Sequence, residues 1–305
     1  MPLSISRRTF LYQASSLGVS LSLPDWRLSG GAAKPVLRFG LMTDSHYADR
    51  EAAGIRYYRE SLDKMAACIR HLNRKQLDFA IHLGDFKDED PGKKEADTLR
   101  YLKAMEAEFA RFKGPRYHCV GNHDVDSITK AQFQQHIENT GIAAEKSYYT
   151  FEQKGIRCIV LDANYHPDGR DHFYQEAGTN WQQSFIPQAQ LDWLRGVLNG
   201  AQKPTLVFCH HPLYRYESEN TYYVENHEAV QRILEASGQI LAVLHGHTHS
   251  EKTHVQAGIT YATFLGMVDY SGRKNNAYAV IEVFGDGRIE VTGYKRLGDR
   301  AFSPS

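Results

Sequence analysis

Histidine, aspartate and asparagine recur in five short blocks of this 305-residue chain. The blocks are Asp44-Ser45-His46, Gly84-Asp85, Gly121-Asn122-His123-Asp124, His210-His211-Pro212 and Gly246-His247-Thr248-His249. Imidazole, carboxylate and amide donors without a thiolate pair suit divalent cations of intermediate hardness. There are enough donors here for two ions, and a carboxylate has two oxygens with which to bridge them. Such a pair, about 3.5–4 Å apart, generates a hydroxide and holds a phosphoryl group for in-line attack. In an extended chain residues i and i+2 project to one side, so Asp44 with His46, and His247 with His249, can each grip one ion together. Gly84, Gly121 and Gly246 permit sharp turns beside the donors.

Donors this far apart in sequence must be gathered by strands that end at one place. Six short runs are apolar and β-branched-rich, as buried strands are: "VLRFGLMTD", "LDFAIHLGD", "RYHCVGNHD", "IRCIVLDAN", "PTLVFCHHP" and "ILAVLHGHTH". All but "IRCIVLDAN" run into a donor block. In open α/β sheets ligands bind beyond the carboxyl ends of strands, so the blocks point at one shared site. Helical patterns lie between the runs. Residues 57–76 put Leu62, Met65, Ile69 and Leu72 on one face, and residues 95–113 do so with Leu99, Leu102, Met105, Phe109 and Phe112 before Gly114-Pro115. Shorter helices follow Thr129, Pro187 and Glu225. Near the C-terminus "NAYAVIEVFGDGRIEVTGY" reads as a hairpin turning at Gly285-Asp286-Gly287. A β/α half followed by a β-rich end predicts two sheets packed together with helices outside, in one domain.

Composition narrows the function. Basic and acidic residues number 36 each, so no positive excess argues for nucleic acid. Paired arginines in "SRRTFL", a weakly apolar segment and small residues before Lys34 resemble a twin-arginine export signal, with cleavage expected after Ala33. Residues 1–33 are therefore read as a signal peptide recognised by the twin-arginine export machinery, and 34–305 as the functional domain of a periplasmic or secreted protein. No cysteine follows the apolar segment to carry a lipid, and no later stretch has the ~20 apolar residues of a membrane span. Cys68, Cys119, Cys158 and Cys209 form no CxxC pair and are expected to be buried free thiols.

In order and spacing, the five blocks resemble the calcineurin-like metallophosphoesterase pattern D-x-H, G-D, G-N-H-[DE], H, G-H-x-H. The resemblance implies an α/β fold, a four-layer α/β/β/α sandwich of two mixed sheets flanked by helices. It also implies two divalent metal ions, one held by Asp44, His46, Asp85 and His249, the other by Asp85, Asn122, His210 and His247. His123 would lie over the phosphate, stabilising charge or protonating the leaving oxygen, with Asp124 orienting its ring. His210 rather than His211 fits the pattern, since Pro212 holds His211 extended and the two side chains should diverge. Outside the blocks, "RYYRESL", "QLDWLRGVL", "HPLY" and "GDR" are similar to the manganese-dependent ADP-ribose/CDP-alcohol diphosphatase branch. A shorter segment between the third and fourth blocks departs from its eukaryotic members.

The reading is a metal-dependent phosphoric ester hydrolase acting on a small phosphorylated, nucleotide-type substrate. The alternatives are a 3′,5′-cyclic nucleotide phosphodiesterase, a broad phosphomonoesterase or a non-catalytic scaffold. Loading before export would favour manganese or iron over zinc. Tyr47, Phe86, Tyr214 and Tyr216 flank the blocks and are the candidates for stacking on a base. His82, His118 and His245 are expected in the core. His71, His136, His166, His172, His227 and His254 are expected at the surface.

Overall fold

A computed structural model describes residues 34–177, 179–216 and 222–303. The signal-peptide reading of residues 1–33 lies outside the described residues.

The predicted apolar runs form strands β1 (Pro35–Met42), β2 (Phe79–His82), β3 (Arg116–His118), β5 (Ile156–Leu161), β6 (Thr205–Cys209) and β7 (Ile240–His245). The amphipathic segments form α1 (Ser61–Leu72), α2 (Glu95–Phe109), α3 (Lys130–Gln135), α4 (Gln188–Leu198) and α5 (His227–Ser237). The C-terminal hairpin is β10 (Ala277–Phe284) and β11 (Ile289–Lys295), with Val283 opposite Ile289 across the turn. Four strands carry no apolar run long enough to reveal them: β4 (Tyr149–Gln153), β8 (Thr253–Gln256), β9 (Ile259–Thr263) and β12 (Arg300–Phe302).

Two mixed sheets of six strands result, in the orders β12-β11-β10-β1-β2-β3 and β4-β5-β6-β7-β9-β8. The first is parallel across β1-β2-β3 and antiparallel from β1 through β10 to β12. Three apolar clusters define four layers. Leu37, Phe39, Leu41, Phe79 and Ile81 of one sheet meet Cys158, Val160, Leu206, Phe208 and Leu244 of the other. Phe39 stacks on Phe79 at 4.6 Å and meets Phe208 edge-on at 5.8 Å, fastening the sheets. On the outer face of the first sheet lie Met65, Ile69 and Leu72 of α1 and Leu102, Met105 and Phe109 of α2. Leu191, Leu194, Val230 and Leu234 of α4 and α5 cover the second. The sandwich is α/β/β/α, as the resemblance implied.

All four cysteines are buried and free. Among the described residues no helix is long and apolar enough to cross a membrane. His82, His118 and His245 are buried as expected, but His172 is also buried, at 1% exposure. This corrects its surface reading: a loop histidine gives no periodic signal that its ring is covered by His166 and Tyr174.

Candidate metal centre

The five donor blocks all begin just past the carboxyl ends of β1, β2, β3, β6 and β7, where the two sheets open together. They are not extended. Asp44, His46, Asp85, His247 and His249 have φ of 52°, 44°, 54°, 69° and 49°, left-handed conformations that non-glycine residues adopt at a cost. The shared grip of Asp44 with His46, and the placing of His247 beside His249, therefore come from successive kinks, which corrects the strand-alternation argument. Gly84 has φ +101°, and a Cβ there would lie 2.7 Å from the His210 ring; one on Gly121 would fall on the backbone nitrogen of Asp85. Both glycines let the loops close around the donors.

The donors converge in two overlapping groups. In the first, His46 gives its Nδ1 to Asp88 at 3.1 Å and His249 its Nδ1 to Asp269 at 3.0 Å. Their Nε2 atoms then face each other at 3.1 Å, with Asp44 Oδ1 3.2 Å from His249 Nε2. With both Nδ1 hydrogens committed, a shared cation satisfies both lone pairs at once. In the second, His210 Nδ1 donates to the Leu83 carbonyl at 2.9 Å. His210 Nε2 lies 3.2 Å from each of Asn122 Oδ1, His247 Nδ1 and Asp85 Oδ2. Asp85 Oδ2 is also 3.4 Å from His46 Nε2, so one carboxylate faces both groups. Carboxylate and imidazole with one amide oxygen suit two divalent cations, and the cluster is a dinuclear metal-binding site.

Charge gives the same answer. Burial alone would raise the Asp44 pKa, but the imidazoles of His249, His46 and His210 hold it well below the carboxylate range. Burial opposes protonation of His210 and His249, yet Asp85 and Asp44 draw the first up to about 9, and Asp44 with Asp269 do the same to the second. A cage that demands positive charge this strongly is matched by divalent cations.

His123 lies at the cavity wall with 27% of its side chain exposed, its ring 4.7 Å edge-on from that of His46. Asp124 does not orient it, contrary to the sequence expectation. The Asp124 carboxylate accepts the backbone N–H groups of Asp85, Phe86, Lys87 and Gly121 at 2.8–3.3 Å, tying the second block to the third. Asp88 instead faces His123 Nδ1 at 3.4 Å, and with Asp85 it outweighs burial to raise the His123 pKa to about 9. His210 and His211 do diverge, their rings perpendicular; His211 touches the His247 ring at 4.6 Å.

The four aromatic candidates do not line the cavity beside the donors, which measures about 500 Å³. Phe86 is fully buried against Phe109 and His118. Tyr47 packs edge-on against Tyr101, Tyr214 stacks on His254 and Tyr216 lies against Tyr214. Adjacency in sequence failed because each block turns sharply, sending its neighbours into the layers. The aromatic rings at the mouth are instead Trp181 and Tyr222, both edge-on to His247, while Tyr174 and Trp181 line the cavity with Arg56, Lys93, Asn122 and His123.

Sequence reasoning also missed three supports. Asp88 sits three residues past Asp85 in "GDFKDED", a cluster that reads as surface charge. Asp269 lies in the plain loop "MVDY". Lys64, inside α1, is fully buried and donates to the carbonyls of Met267, Val268, Asp269 and Tyr270 at 2.9, 3.2, 3.0 and 2.6 Å, fixing the loop that carries Asp269.

The chain belongs to the calcineurin-like phosphoesterase family, whose model matches residues 37–251. It is thus a metal-dependent hydrolase with a dinuclear centre. It is similar to a manganese-dependent ADP-ribose/CDP-alcohol diphosphatase of Oryza sativa subsp. japonica, 24% identical over 311 residues that cover 89% of this chain and 95% of that one. The protein of that name from Danio rerio is 24% identical over 316 residues, covering 87% and 97%. Among solved structures, a dimetal phosphatase from Danio rerio superposes with a TM-score of 0.74 at 22% identity, over 89% of this chain and 100% of that one.

Proposed function

We propose that this phosphoesterase hydrolyses phosphodiester or pyrophosphate bonds in nucleotide-type substrates of the ADP-ribose and CDP-alcohol kind. Asp44, His46, Asp85 and His249 hold one cation; Asp85, Asn122, His210 and His247 hold the other. The observation that carries this is Asp85 Oδ2, set between His46 Nε2 at 3.4 Å and His210 Nε2 at 3.2 Å, as a bridging carboxylate requires. When bound, the cation pair supplies an activated water and Lewis-acid neutralisation of the phosphoryl oxygens. The chain's own contribution is position and one proton. His123 delivers that proton to the leaving oxygen, with Asp88 holding its Nδ1 side. The diphosphatase names of the full-length relatives support the substrate class. The cations are manganese or iron, the former supported by the same names; zinc is the competitor.

We further propose that residues 1–33 direct export of the folded domain 34–305 through the twin-arginine machinery to the periplasm. Replacing Arg7 and Arg8 by lysine should leave the protein in the cytoplasm; export that survives the change rejects the signal. For the activity, ADP-ribose, CDP-choline, cyclic AMP and p-nitrophenyl phosphate should be compared at fixed Mn²⁺. Preference for the first two is expected. Preference for cyclic AMP or the monoester replaces the reading with a cyclic nucleotide phosphodiesterase or a broad phosphomonoesterase.

A further inference from the structure

Few large apolar side chains are exposed among the described residues, and two of them touch each other. Trp181 is 43% and Tyr222 36% exposed, with ring centroids 5.3 Å apart and planes 26° from parallel. Both point an edge relationship at His247, at 6.3 and 5.6 Å, so the pair belongs to the metal centre and not to an independent surface. Exposed indole and phenol faces are costly in water and are regained by stacking on a planar ring, an interaction tolerant of which base is present.

The same cavity holds a cation. Arg56 lines it together with Trp181, Asn122 and His123. The Arg56 backbone is bridged to Asp269, the partner of His249, which fixes the arginine on the His249 side of the centre. The Asp44, Asp85 and Asp88 carboxylates act on its guanidinium from the site. A planar guanidinium presents a fork of donors that fits two phosphate oxygens.

We propose that Trp181 with Tyr222 and Arg56 form the two ends of a specificity site for a nucleoside diphosphate ester, the base stacking on the aromatic pair and the distal phosphate taken by Arg56. This rests on the proposed function and adds a direction to it. The nucleoside lies on the His247 side, the distal phosphate on the His249 side, and the scissile phosphorus between them beside Asn122 and His123. Water adds to the phosphorus nearest the nucleoside and the bond to the bridging oxygen breaks. That oxygen leaves with one proton, giving a nucleoside monophosphate and a phosphomonoester of the distal group. Cyclic nucleotides, with one phosphate, leave Arg56 unused.

The test combines binding and turnover on the metal-loaded full chain. CDP-choline affinity is measured by tryptophan quenching and calorimetry, and its kcat/KM is compared with that of glycerophosphocholine, which lacks both base and second phosphate. Trp181→Ala should weaken CDP-choline binding about tenfold and lower the CDP-choline preference by a similar factor, chiefly through KM, with Trp181→Phe restoring most of both. Arg56→Gln should lower the preference for CDP-choline over cyclic AMP at least tenfold. Metal content measured on each variant separates loss of the site from loss of specificity. Wild type that binds CDP-choline through Trp181 without cleaving it overturns the proposed function and leaves this site standing. Unchanged affinity in Trp181→Ala, or wild type that binds no CDP-choline, overturns the site.

Discussion

Asp85 and Asp269 show how differently two carboxylates serve one centre. Asp85 faces both donor groups, so Asp85→Asn should reduce bound metal from two ions to one or fewer and cut kcat by about 10²–10³ or more, as loss of preorganised charge does. Metal analysis with steady-state kinetics checks this; two tightly held ions in the variant would exclude the bridge. Asp269 touches only the Nδ1 of His249. Asp269→Ala should therefore weaken metal affinity about 10–100-fold, read by Mn²⁺ titration, while leaving the fold intact. Asp85 was legible in the sequence because a glycine precedes it at the end of an apolar run. Asp269 was not, because its role exists only through a histidine 20 positions earlier that a separate kink turns toward it. The left-handed backbone of the ligands was equally hidden, since aspartate and histidine carry no conformational signature as glycine does.

At the scale of elements, the strands and helices were readable wherever burial imposes a period. The six apolar runs and the α1 and α2 faces became elements within a few residues of their expected bounds. β8 was not readable: an edge strand whose residues alternate exposed and half-buried needs no apolar run. Nor does periodicity reveal that Lys64 points inward from α1 to gather four carbonyls. Lys64→Met removes the only charge holding that loop among its printed partners, leaving buried acceptors unmet. It should cost about 2–4 kcal/mol in urea unfolding and weaken metal binding roughly tenfold through Asp269. Unaltered metal affinity would make Lys64 a purely structural residue. The loop around His172 makes its own prediction. Burial lowers the His172 pKa to about 4, with His166 and Lys130 adding to the shift. Its neutral ring contributes stability fully above the unfolded value of about 6.5, and that contribution is lost as pH falls from there toward 4, because the unfolded chain binds the proton first. The loss should reach roughly 3 kcal/mol and be missing in His172→Phe; equal slopes of stability against pH in the two proteins would refute it.

The whole molecule is joined at the centre from two sides. Asp44, His46, Asp85 and Asn122 follow strands of the first sheet, and His210, His247 and His249 follow strands of the second. Cations held between them bind the folded state alone, so at a hundred times Kd they should add about 2.7 kcal/mol. For a domain of this size that raises Tm by about 5–10 °C, reversed by a chelator. A melting temperature indifferent to chelation would deny the centre any part in holding the sheets together.

The pairing of β1 with β10, Pro35 opposite Phe284, sets an order of events during synthesis. The first donor block leaves the ribosome early, but the strand that completes its sheet, and the Lys64-capped loop that steadies His249, are made only near the end. A nascent chain therefore holds scattered imidazoles and carboxylates without a cage, and selective metal capture must wait until translation is nearly finished. A chain cut short before β10 would be stripped of that selectivity although every donor residue had been made.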